Sequence, residues 1–448
     1  MIVRQPVGVG CSRRDFVKAS PAVGAALLAI PRVTRPPRAA QPPTVDGDRL
    51  NAILADFRRF GGTPDGGTTR LAYSDDDLAC REYCAGVMGR AGLDVSIDLG
   101  GNLIGRRPGT DPDALPIVVG SHIDTVPAGG SYDGHVGSAG AMEVALTLND
   151  RGIALRHPLE VIIFPNEEGG KTGSRALVGR VAPFELDVVT ASGYSIGEGT
   201  ARIGGDPARI AEAQREPGSV AGFFEVHIEQ GAFLEADDIQ IGVVEGIVGI
   251  RRWAVTVTGM QNHAGTTPMP QRRDALVAAA DLILAVNEVA NTMPGRQVAT
   301  VGRIEAEPGA PNVVPGVVRA TIEIRDLEMD RISLIFAEIQ RRVRAIESDR
   351  EVTIALDHFY ETLAAPTDPR FRDIVEASAN ALRYTNVRMP SGAGHDAQSM
   401  AELGPVGMIF VPSRGGISHS PDEYSAPDDI TRGVNVLLGS VLALDSAG

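Results

Sequence analysis

Residues 120–137 read GSHIDTVPAGGSYDGHVG. The apolar run Pro116-Ile117-Val118-Val119 leads into them and has the composition of a buried strand ending at Gly120. His122 and Asp124 are two residues apart, so in extended backbone they leave the same face. A metal-bound imidazole commonly gives its far N–H to a carboxylate, which fixes tautomer and ring orientation. Asp124 stands where it can do this for His122. Nine residues further on, beyond a Gly-Gly turn, Asp133 precedes a glycine-rich entry to a helix. A carboxylate there can bridge two metal ions.

Working outward, apolar runs alternate with helix-like segments. A helix is expected over Asp75 to Ala91, a hairpin from Leu93 to Ile97 and Asn102 to Arg106, and an amphipathic helix over Ala139 to Asn149. Leu159 to Pro165 and Phe223 to Glu229 read as further buried strands. The first runs into Asn166-Glu167-Glu168-Gly169 and the second carries His227. Such alternation points to an α/β sheet with functional groups at its strand ends. Composition shifts at Gly249. From there to about Asp357 the order is strand (Ile250 to Gly259), helix (Arg272 to Ala290), strand (Gln297 to Glu305), strand (Val313 to Arg325), helix (Asp330 to Ile346) and strand (Glu351 to Leu356). This is a βαββαβ unit, which fits a ferredoxin-like insert. The α/β pattern then resumes, with helices at Pro369 to Leu382 and Asp428 to Leu444 and a strand at Val406 to Val411. The expected fold is therefore α/β, a mixed-sheet catalytic domain (45–248 and 358–448) interrupted by an insert (249–357).

Residues 1–40 read as a leader. Ser12-Arg13-Arg14-Asp15-Phe16-Val17-Lys18 matches the twin-arginine export pattern, and Ala19 to Ile30 is a mildly apolar stretch too short to span a bilayer stably. A Pro/Arg-rich spacer follows, with a poor cleavage site at Ala39-Ala40. Periplasmic location and no stable membrane span are the expectations. The leader's seven basic residues and one acidic residue contribute +6 to a formal charge of −15, which leaves −21 for the remainder. A chain this acidic offers no footprint to nucleic acid or to an anionic membrane. Of three cysteines, Cys11 falls in the leader. Cys80 and Cys84 share one helical face in poor geometry for a disulfide and read as buried apolar groups.

The chemistry gathers at strand ends. Glu167 and Glu168 point in opposite directions if their backbone stays extended, so that one can bind metal while the other faces water as a general base. His227 adds an imidazole, and His419 another in the loop Gly415-Gly416-Ile417-Ser418-His419-Ser420-Pro421-Asp422. His122, Asp133, Glu168, His227 and His419 together make the donor set of a two-metal hydrolytic site.

GSHIDTVPAGGSYDG, NEEG, EVHIEQGAFLE, NHAGTTPMPQRRDA, SGAGHDA and GISHSPDE resemble, in order, the motifs of the hydantoinase/carbamoylase branch of the co-catalytic zinc peptidase/amidase clan. That branch contains N-carbamoyl-L-amino-acid hydrolases, β-ureidopropionases and allantoate amidohydrolases. The resemblance runs from about Asn51 to Leu444. It implies a di-zinc catalytic domain with a lid/dimerisation insert. It implies one ion on His122, Asp133 and His227, and a second on Asp133, Glu168 and His419. Zn²⁺ is the first expectation, and Mn²⁺, Co²⁺ or Ni²⁺ also suit such donors.

By the same resemblance Asp124 orients His122 and Glu167 is the catalytic acid/base. His263 stabilises the oxyanion, in relatives across a homodimer interface. Gln230 touches substrate, Asn312 and Arg325 hold its carboxylate, and His395 lines the ureido or amide pocket. Peptidases of the clan generally place a carboxylate where His227 stands, so HIEQG disfavours the alternative, an exopeptidase or aminoacylase. A non-catalytic metal-binding protein would need a broken ligand set or a lost base. The chain departs from many relatives in the short Gly170-Lys171-Thr172-Gly173, where a longer segment with an aromatic is usual, and in His135, where proline is common. The implied substrate is a small carboxylate-bearing molecule with a linear amide or carbamoyl C–N bond.

Overall fold

The computed structural model describes residues 42–447. The leader, with its export motif, and Gly448 lie outside them. Helix α1 (Gly47–Phe57) is capped by the Asp46 carboxylate and buries Leu50, Ile53, Leu54 and Phe57. Helix α2 (Asp75–Arg90) is capped by the Ser74 hydroxyl and carries three aspartates in its first turn, where they oppose the helix dipole. Cys80 and Cys84 are free and buried on its inner face. The expected hairpin is β1 (Asp94–Ile97) and β2 (Leu103–Arg107).

Strand β3 (Ile117–His122) is buried along its whole length, which is why its sequence is a continuous apolar run rather than an alternation. Helix α3 (His135–Asp150) follows, buried from His135 to Leu148, and then β4 (Leu159–Phe164). Short helices α4 (Thr172–Leu177) and α5 (Ile196–Arg202) lead to β5 (Gly222–Ile228), helix α6 (Phe233–Ala236) and β6 (Ile241–Ile247). Close strand packing explains Gly120. A Cβ there would sit 2.0 Å from the Ile162 carbonyl oxygen on β4.

The segment from Gly249 builds a separate sheet. Its strands are β7 (Gly249–Thr258), β9 (Val298–Glu307), β11 (Val317–Asp326) and β12 (Thr353–Thr362), in antiparallel order β12-β7-β11-β9. The two-residue strands β8 (Asn262–His263) and β10 (Val313–Val314) pair beside it. Helices α7 (Ala275–Thr292) and α8 (Met329–Arg350) bury Ala278, Leu282, Val286, Ile335 and Ile339 against Trp253, Val255, Ile322 and Ile324. α7 is apolar enough to pass as a membrane span by composition, but one of its faces is committed to this core. The last strand runs on to Thr362, beyond the expected end at Leu356. Its outer half is polar and exposed, with a register shift between His358 and Tyr360, and so lacks the alternation that marks a strand. His358, the first residue after the expected insert, lies within this strand against Trp253.

The chain then returns to the first sheet through β13 (Ala365–Pro366), α9 (Pro369–Ala381), β14 (Asn386–Ser391), α10 (Ala397–Met400), β15 (Val406–Val411) and α11 (Pro427–Ser446). Its order is β1-β2-β4-β3-β5-β15-β6-β13, with β14 also on β6. Parallel pairing joins β4, β3, β5 and β15, and β14 to β6, while β1–β2, β2–β4, β15–β6 and β6–β13 are antiparallel. The sheet is therefore mixed, as expected. His122 and His227 lie at the carboxyl ends of parallel neighbours.

Candidate metal centre

Two backbone contacts decide what the buried imidazoles can do. His122 Nδ1 lies 3.0 Å from the Asp124 carbonyl oxygen, and His227 Nδ1 lies 2.8 Å from that of Ile228. A carbonyl only accepts, so each ring carries its proton on Nδ1 and a lone pair on Nε2. Both lone pairs face the Asp133 carboxylate, with Nε2 to Oδ1 distances of 3.6 Å from His122 and 3.1 Å from His227. His419 presents Nε2 to the other oxygen, Oδ2, at 3.1 Å, and to Glu168 Oε1 at 3.6 Å.

Acceptors facing acceptors in a buried space need a cation between them, either a proton or a metal ion. Burial disfavours the charged form of His227, yet contact with Asp133 and the charge of Glu225 outweigh it and raise the ring to about 9. His419, on Asp133, also rises to about 9. Burial and the neighbouring Asp133 push Glu168 up to about 8. The donors fall into two groups that share Asp133, one of His122, Asp133 and His227, the other of Asp133, Glu168 and His419. This donor set fits two divalent ions with a bridging carboxylate.

The turn around this centre differs from an extended strand end. Asn166 stands at φ 55, and Glu167 and Glu168 follow in a turn. Asp124 makes that turn. Its two carboxylate oxygens accept the N–H groups of Glu167 and Glu168, each at 3.2 Å. The Asp124 carboxylate, expected to orient His122, lies with Oδ1 3.8 Å from Nδ1, while the Asp124 carbonyl makes the hydrogen bond to that nitrogen. Glu167 reaches the centre with Oε2 3.8 Å from His122 Nε2, and burial raises its carboxyl above the usual range.

Gln230 also departs from expectation. Its backbone is left-handed at φ 57, and its amide Nε2 donates to Asp133 Oδ2 at 2.6 Å and to Ser418 Oγ at 3.2 Å. It contacts the shared carboxylate directly. His395 packs edge-on against His227, with ring centroids 4.4 Å apart, and its Nε2 meets Ser391 Oγ at 2.8 Å. Burial and the charge of His227 push it well below the usual imidazole range, so it is neutral.

The remaining substrate candidates sit on the second sheet. The β8–β10 ladder pairs Val313 with His263 and so brings Asn312 beside it, although the two are far apart in sequence. His263 is exposed, and its Nδ1 accepts the N–H groups of Gly265 at 3.0 Å and Thr266 at 3.1 Å. Its proton is therefore on Nε2, aimed outward as a donor. Arg325 gives Nε to Glu323 Oε1 and Nη1 to the Gly392 carbonyl oxygen, both at 2.7 Å. Among the described residues no hydrogen bond or ion pair joins His263 or Asn312 to the metal donors.

A family model described as peptidase family M20/M25/M40 matches residues 118–443. The chain belongs to that family. The N-carbamoyl-L-amino acid amidohydrolase of Geobacillus stearothermophilus is 38% identical over 405 residues, covering 89% of this chain and 99% of that protein. The enzyme of the same name from Paenarthrobacter aurescens is 40% identical over 404 residues, 89% and 98% of the two chains. The solved structure of an amidase of the hydantoinase/carbamoylase family from Burkholderia multivorans superposes with a TM-score of 0.84 at 37% identity, covering 90% and 98%.

M20/M25/M40 enzymes depend on metal, and the donor groups here fit that dependence. In this M20/M25/M40 chain several supporting residues escaped the sequence reading. Glu423 accepts the N–H groups of Tyr132 at 2.9 Å and Asp133 at 3.1 Å and the Ser418 hydroxyl at 2.8 Å, tying the Asp133 and His419 loops together. It ends the GISHSPDE motif, which was the available signal. Glu225 precedes His227 by two residues in β5 and accepts the Ser121 hydroxyl at 2.7 Å and the Ala397 N–H at 3.1 Å. Period-two spacing from a ligand marks it. His135, flagged as a departure near the metals, contacts Phe57, Arg70 and the Ile123 carbonyl instead of the Asp133 group. Arg70 is fully buried and donates to the carbonyls of Phe57, Phe60 and Ile123, which gives His135 a packing role.

Loss of a side chain that holds a ligand in place typically costs about 10–100-fold in metal affinity. Gln230→Ala is accordingly expected to weaken metal retention by that factor in chelator competition. Unchanged retention with a raised KM would return Gln230 to the substrate.

Proposed function

We propose that this chain is a metal-dependent amidohydrolase that cleaves a linear amide or carbamoyl C–N bond beside a substrate carboxylate, as in N-carbamoyl amino acids and ureido acids. The observation that carries the reading is one buried carboxylate, Asp133, faced by three imidazole Nε2 atoms with Glu167 beside them. His227 supports an amidase over a peptidase, as do the names of the relatives. Two ions are proposed, Zn²⁺ first, held by the two groups that share Asp133. When bound they supply Lewis-acid polarisation of a carbonyl and a lowered pKa for water.

The chain's own residues do the rest. Glu167 takes a proton from the attacking water and returns it to the leaving nitrogen. Its raised pKa suits it to both steps. His395, neutral and fixed by Ser391, presents a polar edge to the scissile group. Arg325 and Asn312 hold the substrate carboxylate, and the Nε2–H of His263 meets the oxygen that becomes negative.

The segment 249–357 is proposed to act as a lid and dimerisation domain. His263 aims its free N–H at solvent, β9 is an unpaired edge, and Leu284 on α7 is 68% exposed beside half-exposed Leu276 and Val277. A homodimer would cover these groups and bring His263 to a second active site. Export through the twin-arginine leader is proposed from residues 12–30. Arg13→Lys with Arg14→Lys is expected to leave the protein in the cytoplasm, and unchanged cell fractionation would remove that proposal.

Glu167→Gln should keep its metal content, measured by elemental analysis, and lose about 10²–10⁴ in kcat on N-carbamoyl-L-amino acids. If Glu168→Gln shows that pattern instead, the two roles are reversed. Failure to hydrolyse any carbamoyl or ureido acid, with dipeptides cleaved, would replace amidohydrolase by peptidase.

His263→Ala is expected to keep metal and lose about 10²–10³ in kcat. Mixed with Glu167→Gln subunits it should regain activity, since each heterodimer then holds one complete site. No recovery after verified subunit exchange would place His263 on its own subunit's site.

A further inference from the structure

One cation near the proposed base has no part in that chemistry. Lys171 follows Glu167 by a single turn, its N–H donating to the Glu167 carbonyl at 3.0 Å. Its ammonium donates to Gln398 Oε1 at 2.6 Å and lies against Gly394, where an added Cβ would sit 3.2 Å from Nζ. Lys171 and Gln398 line a cavity of about 970 Å³ between α4, α10 and the chain at Thr362–Pro366. The other charged groups of that lining are paired: Arg175 with Glu185 at 2.6 Å, Arg180 with Glu402 at 2.8 Å, and Glu361 with Arg251. Among the described residues Lys171 has no carboxylate within ion-pair distance, so it carries the uncompensated charge of the wall.

The turn Gly392–Gly394 separates this ammonium from Arg325, which donates to the Gly392 carbonyl from the opposite side. Two cations thus bracket the loop that carries His395. Lys171 stands one turn from the proposed base and beside the loop of His395. In a chain whose fold carries a large negative charge, an isolated ammonium in a cavity wall is a place where an anion can be held against the general repulsion.

We infer that Lys171 and Gln398 form a subsite for a second carboxylate, so that the preferred substrate is a ureido dicarboxylate, an N-carbamoyl-L-amino acid with an acidic side chain. The inference rests on the amidohydrolase reading above and names the substrate class within it. With the α-carboxylate on Arg325 and the carbamoyl group at the metals, the side chain of an L-amino acid is directed to the remaining wall. Glycine at 394 keeps that wall open beside the ammonium, and Gln398, tied to the Leu363 carbonyl through Nε2, holds the ammonium in place through Oε1. An apolar side chain would instead strip water from Lys171 and give it no partner.

The test uses metal-loaded enzyme and compares kcat/KM for N-carbamoyl-L-glutamate and N-carbamoyl-L-aspartate with that for N-carbamoyl-L-leucine. The acidic substrates should be preferred. Lys171→Met should lower the preference about 10–100-fold, the value of one charge-assisted contact, mainly through KM, and Lys171→Arg should restore most of it. In the Glu167→Gln background, calorimetric affinity for N-carbamoyl-L-glutamate should fall by the same factor when Lys171→Met is added. A preference unchanged by Lys171→Met would overturn the subsite. So would an equal fall for all three substrates with a displaced acid limb in the pH–rate profile, which would make Lys171 a positioning residue for Glu167. Turnover with no acidic preference overturns the subsite alone. No turnover on any carbamoyl substrate overturns the amidohydrolase reading with it.

Discussion

Everything in this molecule's active region depends on one buried carboxylate, Asp133, faced by three imidazole nitrogens. Burial disfavours its charge, yet contacts with His122, His227 and His419 outweigh that and hold the carboxyl well below its usual range. The surrounding structure is arranged to keep this group of metal-fitting donors together. Gly134 permits it sterically: at φ 66 it has no Cβ, and one would fall 2.4 Å from the His122 ring. Glu423 and Gln230 fix the loop and the carboxylate from the other side.

The same logic separates two adjacent glutamates into different tasks. Asp124 draws both of their N–H groups to one carboxylate, which curls the chain just past β4. Glu168 then faces His419 and Asp133, while Glu167 faces His122. Burial lifts both carboxyl groups, but only Glu168 sits directly against the Asp133 charge. Identical side chains are thus turned to different neighbours by the path of four residues.

Much of the fold was legible because central strands buried on both faces, such as Ile117–His122 and Val406–Val411, write themselves as unbroken apolar runs. The outer half of β12 did not, since its residues are exposed and carry no period. The ligand residues were legible as chemistry in motifs, whereas their supports were not. Asp124 was placed on the right neighbour by spacing, but spacing supposes an extended chain, and the turn at Asn166 brought other donors to its oxygens. The contact of Gln230 with Asp133 depends on its left-handed φ, which a strand-like extension does not anticipate. Motif position and spacing mark Glu423 and Glu225, whereas Arg70 acts through tertiary contacts to backbone carbonyls, which leave no trace in local sequence.

The order of strands in the first sheet has a consequence for how the protein comes into being. β15 (Val406–Val411) lies between β5 and β6, pairing with both, although β5 and β6 end at Ile228 and Ile247, far earlier in the chain. Until it leaves the ribosome the sheet is two separate halves, and the nascent chain holds His122, Asp133 and His227 without the far donor or the Glu423 brace. Domains generally form as units while synthesis proceeds from the N-terminus, but here the unit closes only near the end of translation. A ribosome that stalls, or a protease that cuts, upstream of residue 406 leaves a species with the donor group of His122, Asp133 and His227 but without the group that needs His419.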